Sequence, residues 1–552
     1  MIIGKTAEDK EVNLTGPDRD RHMHLLGVTG TGKSKLLEWM IRRDIDAGLG
    51  LCLIDPHGTL YKEILKFCVL RRLENRTILF DPNDLGVSVG LNLLEYDLAV
   101  KTSSSHADTV MDAIGKVFGG QKTNTMPQLQ KYERGALLPL IEAGLTLYEL
   151  EDFINPFDPT FRNLILEGCP NDRIKKRWEW FDRTSLRDRT NYAAPLESRS
   201  DKFVTSEIGR RTFGQQKSTI DFKKAMEEQK IILCNLRGSI STAEQQMIGI
   251  VIIDKLLQAG YSRMKTPEYS LKPFYVYLDE FQYFVSDDIS KALSELRKCK
   301  VRFILSHQRF GQLTEDVLDA VLTQPQVRVC FRSGRADAEI LVDDVFDYRS
   351  DIVKYVQTAT KFRPVRGYET VETYTESSSS SELDGMSEGN SSSVSPEDVD
   401  DVLGLAVNSG MTSVKGSTNN SGYSKSTVPI TNFEEFHEET SRSFKGKDDQ
   451  KEEFITMLRK QPQQHCTIKI KESGAIQIKV PFVKQFSVRE KDYNEFKQRV
   501  YSRYSLPSEQ VDKMIKLRQK YFVDLAQEKK EQAQKQKIEE QTQEVEKSFR
   551  QK

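Results

Sequence analysis

Eight residues, Gly27-Val28-Thr29-Gly30-Thr31-Gly32-Lys33-Ser34, limit what this chain can fold into more than any other stretch. They satisfy G-x-x-x-x-G-K-[ST] at every fixed position. Such a loop works only between a buried strand and a helix. Met23-His24-Leu25-Leu26 supplies the strand. Leu36, Leu37, Met40, Ile41 and Ile45 recur at helical spacing behind it, and Gly48 suits the helix end. The pattern predicts an α/β core in which the backbone N–H groups of residues 27–34 converge on a phosphate at the positive end of a helix. Lys33 is then the candidate ligand for the β- and γ-phosphates of a nucleotide, and the Ser34 hydroxyl a candidate ligand for Mg²⁺.

Hydrolysis needs a second element that positions the metal and a water. Phe274-Tyr275-Val276-Tyr277-Leu278-Asp279-Glu280 reads as a buried strand with two carboxylates at its C-terminal end, where ligands bind in open α/β sheets. Asp279 is expected to hold Mg²⁺ through water, and Glu280 to polarise the attacking water. Val301 to Gln308 is another buried strand with a polar tip. Gln308 is the candidate γ-phosphate sensor, with His307 sharing that role or packing. Leu51 to Gly58 reads as the parallel neighbour of the loop strand, with Asp55 and His57 overlooking the nucleotide. Val327 to Arg332 leads into Ser333-Gly334-Arg335-Ala336-Asp337. Arg332 and Arg335 are candidate arginine fingers toward a neighbouring subunit, and both are equally open to a surface salt-bridge reading.

Net charge and cysteine use narrow the class. A formal charge of -1 excludes a uniformly basic nucleic-acid binder, so any such surface must be local. The seven cysteines are dispersed, without a C-x-x-C pair, and read as reduced core residues of a cytoplasmic protein. His22 and His24 share one face of a strand without a ligand cluster around them. No apolar run reaches about 18 residues and no signal-peptide pattern opens the chain, so no membrane span is expected.

Taken in order, residues 22–34, Ile54-Asp55-Pro56-His57-Gly58, Leu278-Asp279-Glu280-Phe281-Gln282 and Ser306-His307-Gln308 resemble the HerA–FtsK superfamily of ring ATPases. Within it the chain is most similar to the conjugative coupling-protein branch (TraD/TraG-like, with a TraM-recognition-type segment). Phe213 to Phe222, Lys230 to Leu236 and Phe331 to Glu339 add to the likeness, which spans roughly residues 1–370 and a strand near 466–483. The resemblance implies a RecA-like core, ATP and Mg²⁺ as cofactors, a homo-hexameric ring and DNA moved through its centre. The chain departs from the family's usual architectures: no transmembrane helices or β-barrel precede residue 23, and no winged-helix module is visible. It reads as a motor that borrows its targeting from a secretion-channel, relaxosome or nuclease partner, which would also recruit it to a membrane.

The expected organisation is a first half of the ATPase core at 1–118, an all-helical insertion at 119–205, and the second half of the core at 206–370. A low-complexity, mostly disordered tract follows at 371–430, with one short helix at 399–407. Return strands at 431–487 and a charged helical tail at 488–552 complete the chain. Within the insertion, Arg173, Lys176, Arg177, Arg183, Arg187 and Arg189 interleave with Trp178, Trp180 and Tyr192. That pattern suits single-stranded nucleic acid, or equally a helical face that packs its tryptophans inward. The function expected is a DNA-translocating ATPase in conjugative transfer. The alternatives are a repair or defence motor paired with a separate nuclease, and a secretion ATPase handling a protein substrate.

Overall fold

The computed structural model describes residues 1–118, 127–238, 240–284, 288–375, 422–471 and 473–550. The chain parts into two units, Met1–Tyr348 with Lys447–Lys552, and Arg349–Gly446.

The first unit begins with strands β1 (Ile2–Lys5) and β2 (Glu11–Asn13), and β3 (Met23–Leu26) then runs through the glycine loop into helix α1 (Lys33–Asp46). β4 (Gly50–Asp55), α2 (Thr59–Arg71), β5 (Thr77–Phe80) and the short β6 (Val87–Ser88) follow. Helices come next: α3 (Ser103–Val117), α4 (Pro127–Glu142), α5 (Leu150–Ile154), α6 (Thr160–Glu167), α7 (Asp172–Arg183), α8 (Leu186–Val204), α9 (Glu207–Phe213) and α10 (Phe222–Glu227). Strand and helix then alternate through β7 (Ile231–Asn235), α11 (Thr242–Ser262), β8 (Phe274–Leu278), α12 (Asp288–Glu295), β9 (Val301–His307), α13 (Glu315–Thr323), β10 (Val327–Cys330) and α14 (Arg335–Val345). The second unit holds β11 (Val353–Thr375) and β12 (Gly422–Phe444). The chain re-enters the first unit with α15 (Lys447–Lys460), β13 (His465–Ile470), β14 (Ile476–Lys479), α16 (Glu490–Tyr501), β15 (Leu506–Pro507) and α17 (Ser508–Arg550).

Eleven strands form one sheet in the order β2-β1-β14-β13-β10-β3-β9-β8-β4-β7-β5. From β10 to β5 all neighbours are parallel. Every residue of β3, β4, β7, β8, β9 and β10 is buried. Helices on both faces explain why these strands read as unbroken apolar runs. β13, β14, β1 and β2 extend the sheet antiparallel beyond β10. The result is an α/β P-loop core with a mainly parallel sheet.

One expectation about that sheet is corrected. β4 is not the neighbour of the loop strand: β3 lies between β9 and β10, and β4 between β8 and β7. α1 carries the chain past two strand positions, and β8 and β9 fill them. Their polar tips therefore lie between Asp55 and the glycine loop.

Local signals account for the elements that frame the site. α11 starts with a capping box: Ser241 Oγ accepts the Glu244 N–H at 3.2 Å, and Glu244 Oε2 accepts the Ser241 N–H at 2.8 Å. A buried bidentate pair, Arg19 with Asp44 at 2.6 and 2.8 Å, ties the segment before β3 to α1. The Tyr277 hydroxyl on β8 completes it, donating to Asp44. Among the helices of 127–213, Trp178 is fully buried against Tyr132, Phe153 and Phe181, and its Nε1 donates to the Gly135 carbonyl at 2.9 Å. Trp180, two residues on, is half exposed. Of the two tryptophans in this basic and aromatic run, Trp178 thus packs inward and Trp180 does not. The start of α17 is docked, with Val511 and Ile515 buried and Arg211 paired to Asp512 at 2.6 Å. No helix among the described residues is long and apolar enough to cross a membrane.

The second unit is a two-stranded ribbon. β11 and β12 pair antiparallel from Val353↔Phe444 to Thr375↔Gly422, a span of about 75 Å at about 3.3 Å per residue. Residues 353–370 were expected within the ATPase core and 422–430 within the low-complexity tract. They enter this ribbon instead, 353–366 against 431–444 and 367–375 against 422–430, with β-prone Thr, Val and Tyr along the strands and an ion pair across them between Arg363 and Glu434 at 2.7 Å. The expected disorder at 376–421 and the helix at 399–407 fall outside the described residues.

Candidate nucleotide site

The loop after β3 is held on both sides by its neighbouring strands. The Val28 N–H donates to the Arg332 carbonyl at 2.9 Å, just past β10, and the Gly27 N–H to the His307 carbonyl at 3.4 Å, at the end of β9. A Cβ on Gly27 would stand 2.5 Å from Phe331 Cβ, so only glycine lets the loop lie this close to β10. Gly32 takes φ +119° at the start of α1, a conformation L side chains rarely adopt. The Thr31 hydroxyl donates to the Val28 carbonyl at 2.8 Å and closes the loop on itself.

Lys33 is buried, and its Nζ donates to the Gly27 carbonyl at 2.5 Å and the Val28 carbonyl at 3.3 Å. Burial lowers its pKa, while Glu280 and Asp279 nearby pull the other way. Ser34, next along, is exposed at the first turn of α1.

The two carboxylates at the end of β8 differ in character. Asp279 is buried and its pKa is pushed up to about 6, first by desolvation and then by Asp55 and Glu280. Its Oδ1 has no hydrogen-bond partner. An orphaned carboxylate oxygen facing a lysine and a second acid suits a cation-supporting role. Glu280 adopts φ 48°, ψ 51°, a left-handed conformation costly for a non-glycine residue. That turn places both its oxygens on amides: Oε1 accepts from Gln308 Nε2 at 2.7 Å and Oε2 from Gln282 Nε2 at 2.9 Å. Gln308 Oε1 in turn accepts from the Thr29 hydroxyl at 3.1 Å. The loop, the residue after β9 and the carboxylate after β8 are thereby joined in one chain of hydrogen bonds.

The remaining candidates are placed less centrally. Asp55 Oδ1 accepts the His57 N–H at 2.9 Å and Oδ2 the Tyr61 N–H at 2.8 Å, so both oxygens are spent on the start of α2. Asp55 acts on the site through its charge beside Asp279, and the His57 side chain is exposed. Arg335 is held on the surface by Glu339 at 2.8 Å and Glu452 at 3.1 Å. Arg332 is exposed, with its own carbonyl on the loop. His307 packs: its Nε2 lies 2.8 Å from His24 Nε2, between Phe281 and Phe310. Burial holds His307 down at about 3 and His24 well below its usual range, so the pair is neutral. No group of three metal-ligating side chains of the His/Cys/Asp/Glu type exists among the described residues.

Residues 461–465 carry contacts that the sequence did not point to. Gln463 Nε2 donates to the Gly30 carbonyl at 3.1 Å, and the Gln464 N–H to the Thr31 carbonyl at 2.8 Å. The turn before β13 therefore braces the glycine loop from more than 400 residues away along the chain. Its run of amides, Gln461, Gln463 and Gln464, is the only signal it offers.

A family model agrees with this geometry. Residues 3–256 match helicase HerA, central domain. The chain is accordingly similar to the HerA–FtsK P-loop ATPases, and the HerA-like stretch takes in the glycine loop, β4, the helices and β7. Among solved structures, the plasmid coupling protein TrwB in complex with ADP and Mg²⁺ is 13% identical over 89% of this chain and 92% of that one, with a TM-score of 0.48. An unbound form of the bacterial conjugative coupling protein TrwBdeltaN70 is 13% identical over 89% and 91%, with a TM-score of 0.46. VirB4 of Thermoanaerobacter pseudethanolicus is 15% identical over 62% and 87%, with a TM-score of 0.43. No curated protein matches the sequence.

Proposed function

We propose that this chain is an ATP-driven DNA translocase, working as a ring of identical subunits in conjugative transfer. The observation that carries the reading is the hydrogen-bonded chain Thr29–Gln308–Glu280, which links the phosphate loop to a candidate catalytic carboxylate through a neutral amide. A neutral amide can respond to a phosphate oxygen without competing as a base.

The residues present fit ATP and Mg²⁺: two glycine positions a side chain would fill or strain, a buried lysine, and an orphaned Asp279 oxygen. When bound, Mg²⁺·ATP supplies the phosphoanhydride and the metal charge. The loop N–H groups of 27–34 hold the phosphates, and Lys33 exchanges its two carbonyl acceptors for phosphate oxygens. Ser34 and Asp279 support the metal. Glu280 orients a water and takes its proton, and Gln308 reports to Glu280 when Thr29 moves with the loop. Arg332 or Arg335 of a neighbouring copy completes the charge on the far side.

Steady-state ATP hydrolysis with and without DNA, at low and moderate salt, beside Lys33→Ala and Glu280→Gln, tests the reading. Stimulation by DNA that both variants abolish supports a nucleic-acid motor. Hydrolysis that the variants abolish but DNA does not change would overturn the translocase and redirect the work to protein substrates.

A further inference from the structure

The C-terminal tips of the parallel strands form a row across one face of the sheet. Ile54 pairs with Leu278, and Leu278 with Leu305. The next residues, Asp55, Asp279 and Ser306, therefore stand side by side on the same face. Asn235 on β7 flanks Asp55, and Leu25 on β3 flanks Ser306. Ser306 carries the one hydroxyl in β9, a strand that is buried throughout.

Ser306 is 0% exposed, and its Oγ has no hydrogen-bond partner among the described residues. Asp279 Oδ1, at the neighbouring position, has none either. A buried hydroxyl and a buried carboxylate oxygen are both costly to leave unpaired. Leu25 is apolar, so Asp279 is the polar neighbour of the hydroxyl within the row. Desolvation, Asp55 and Glu280 raise the pKa of Asp279, and the Ser306 hydroxyl works against them as a donor. Even so, the two atoms do not complete a hydrogen bond. Asp55, on the other side of Asp279, is an acceptor already engaged by the His57 and Tyr61 N–H groups. Lys33 Nζ lies on the Gly27 and Val28 carbonyls. An unfilled donor thus stands beside an unfilled acceptor, at the end of the sheet where the phosphate loop lies.

We propose that Ser306 is a positioning residue for the carboxylate that supports Mg²⁺. When nucleotide and metal bind, the Ser306 hydroxyl donates to Asp279 Oδ1. That bond fixes the carboxylate and leaves its second oxygen to the cation. A hydroxyl is neutral, so it orients Asp279 without cancelling the charge that the cation needs. A packing role would ask only for a small side chain at this position. A direct ligand would need a hydroxyl that reaches the nucleotide side, and Ser306 is sealed within the sheet. The inference rests on reading residues 27–34 and Asp279 as an Mg²⁺–ATP site, and it adds a residue that acts on the metal through Asp279.

The test uses the full chain and adenylyl imidodiphosphate, a non-hydrolysable ATP analogue, titrated by calorimetry in EDTA and in Mg²⁺. The readout is the factor by which Mg²⁺ tightens binding. Ser306→Ala removes the hydroxyl and keeps the packing. It should cut that factor about tenfold or more, the loss typical of a group that orients a metal ligand, while affinity in EDTA stays within about twofold. Thermal unfolding of the chain without nucleotide or metal should be unchanged or shift upward, because the variant removes an unpaired buried group. Asp279→Asn should lose the metal effect, and adding Ser306→Ala to it should lose no more, since the hydroxyl acts through Asp279. Ser306→Cys, a weaker donor of similar size, reads the same factor if the alanine variant does not fold. A wild-type factor in Ser306→Ala would overturn the inference and leave Ser306 as packing. Equal losses in EDTA and in Mg²⁺ would also overturn it and make Ser306 a support of the loop. If Asp279→Asn loses the metal effect while Ser306→Ala keeps it, the proposed site stands and this inference fails. If Mg²⁺ does not tighten wild-type binding, both fail. The readout is independent of DNA, so loss of the translocase reading leaves the inference standing.

Discussion

Gln308 donates its side-chain amide to Glu280 at 2.7 Å, from the tip of one parallel strand to the tip of the next. Together with Gln282 on the other oxygen at 2.9 Å, the contact sets where Glu280 points. Glu280→Gln should lower the turnover of ATP by about 10²–10⁴ while the affinity for ATP stays within a few-fold. Gln308→Ala should lower turnover about tenfold or more, again without a matching loss of affinity. Single-turnover hydrolysis beside binding of a fluorescent ATP analogue separates the two quantities. Equal losses of affinity and turnover would remove Gln308 from the relay.

The loop depends on two contacts that can be broken separately. Gly27→Ala drives a Cβ into Phe331 and should cost about 1–3 kcal/mol of stability together with nucleotide binding. Gln463→Ala removes one hydrogen bond to the Gly30 carbonyl and leaves the fold intact. It should raise KM for ATP several-fold, in line with about 0.5–1.5 kcal/mol per hydrogen bond, at nearly constant kcat. Thermal unfolding and steady-state kinetics on both variants check the pair.

Arg335 is engaged by Glu339 and Glu452 of its own chain, whereas Arg332 is exposed beside the loop. Arg332→Ala should therefore lower hydrolysis by about 10³ or more if it is the finger, and Arg335→Ala should leave it close to wild type. The reverse ranking in a steady-state assay would assign the finger to Arg335.

Asp44 is the only carboxylate that the Arg19 guanidinium meets in its buried site among the described contacts. Asp44→Ala removes the carboxylate that Arg19 and the Tyr277 hydroxyl share and leaves the buried guanidinium on the neutral Tyr277 oxygen at 3.1 Å. The expected loss is about 3–5 kcal/mol, the cost of breaking a buried pair from one side. Urea unfolding reads it directly, and a loss under about 1 kcal/mol would show that water reaches Arg19.

His22 couples stability to pH. Its Nδ1 accepts the Phe303 N–H at 3.0 Å and its Nε2 pairs with the Leu293 carbonyl at 2.6 Å, so the neutral ring is fully used. Burial, with Arg302 and Arg297 nearby, lowers its pKa to about 4 from 6.5. The folded value is depressed, so the unfolded chain takes the proton first. The stabilisation is complete above pH 6.5 and drains away as pH falls toward 4, by about 1.4 kcal/mol per pH unit. His24, His106 and His307 are depressed as well and add to this trend, while Asp279 and Asp152, both raised to about 6, oppose it below pH 6. The difference between wild type and His22→Gln isolates one proton. Equal slopes of unfolding free energy against pH in the two proteins would show that His22 titrates normally.

Some of this site was legible in the sequence because its determinants are local. A glycine with positive φ, a lysine one residue on, and an apolar run ending in two acids are each written within a few residues. The strand–loop–helix context of residues 23–46 and the buried strands 274–278 and 301–307 follow from the same short-range patterns. The buried pair His24–His307, the placement of two strands between β3 and β4, and the brace by Gln463 and Gln464 were not legible. Each depends on which distant strands become neighbours, and apolar runs buried on both faces pair equally well with any partner of their kind. The split between Trp178 and Trp180 had the same cause, since helical spacing alone does not say which face meets α4.

By itself, then, the sequence determined the chemistry available at each strand tip and the backbone freedom of the loop, because side-chain type and glycine content are properties of single positions. Only the tertiary structure decided which tips meet. Placing β9 beside both β3 and β8 brings Gln308 between Thr29 and Glu280, and threading β13 past β10 lays Gln463 on Gly30. The physical reason is that these contacts are bought with long-range chain closure, and no local pattern records that entropy.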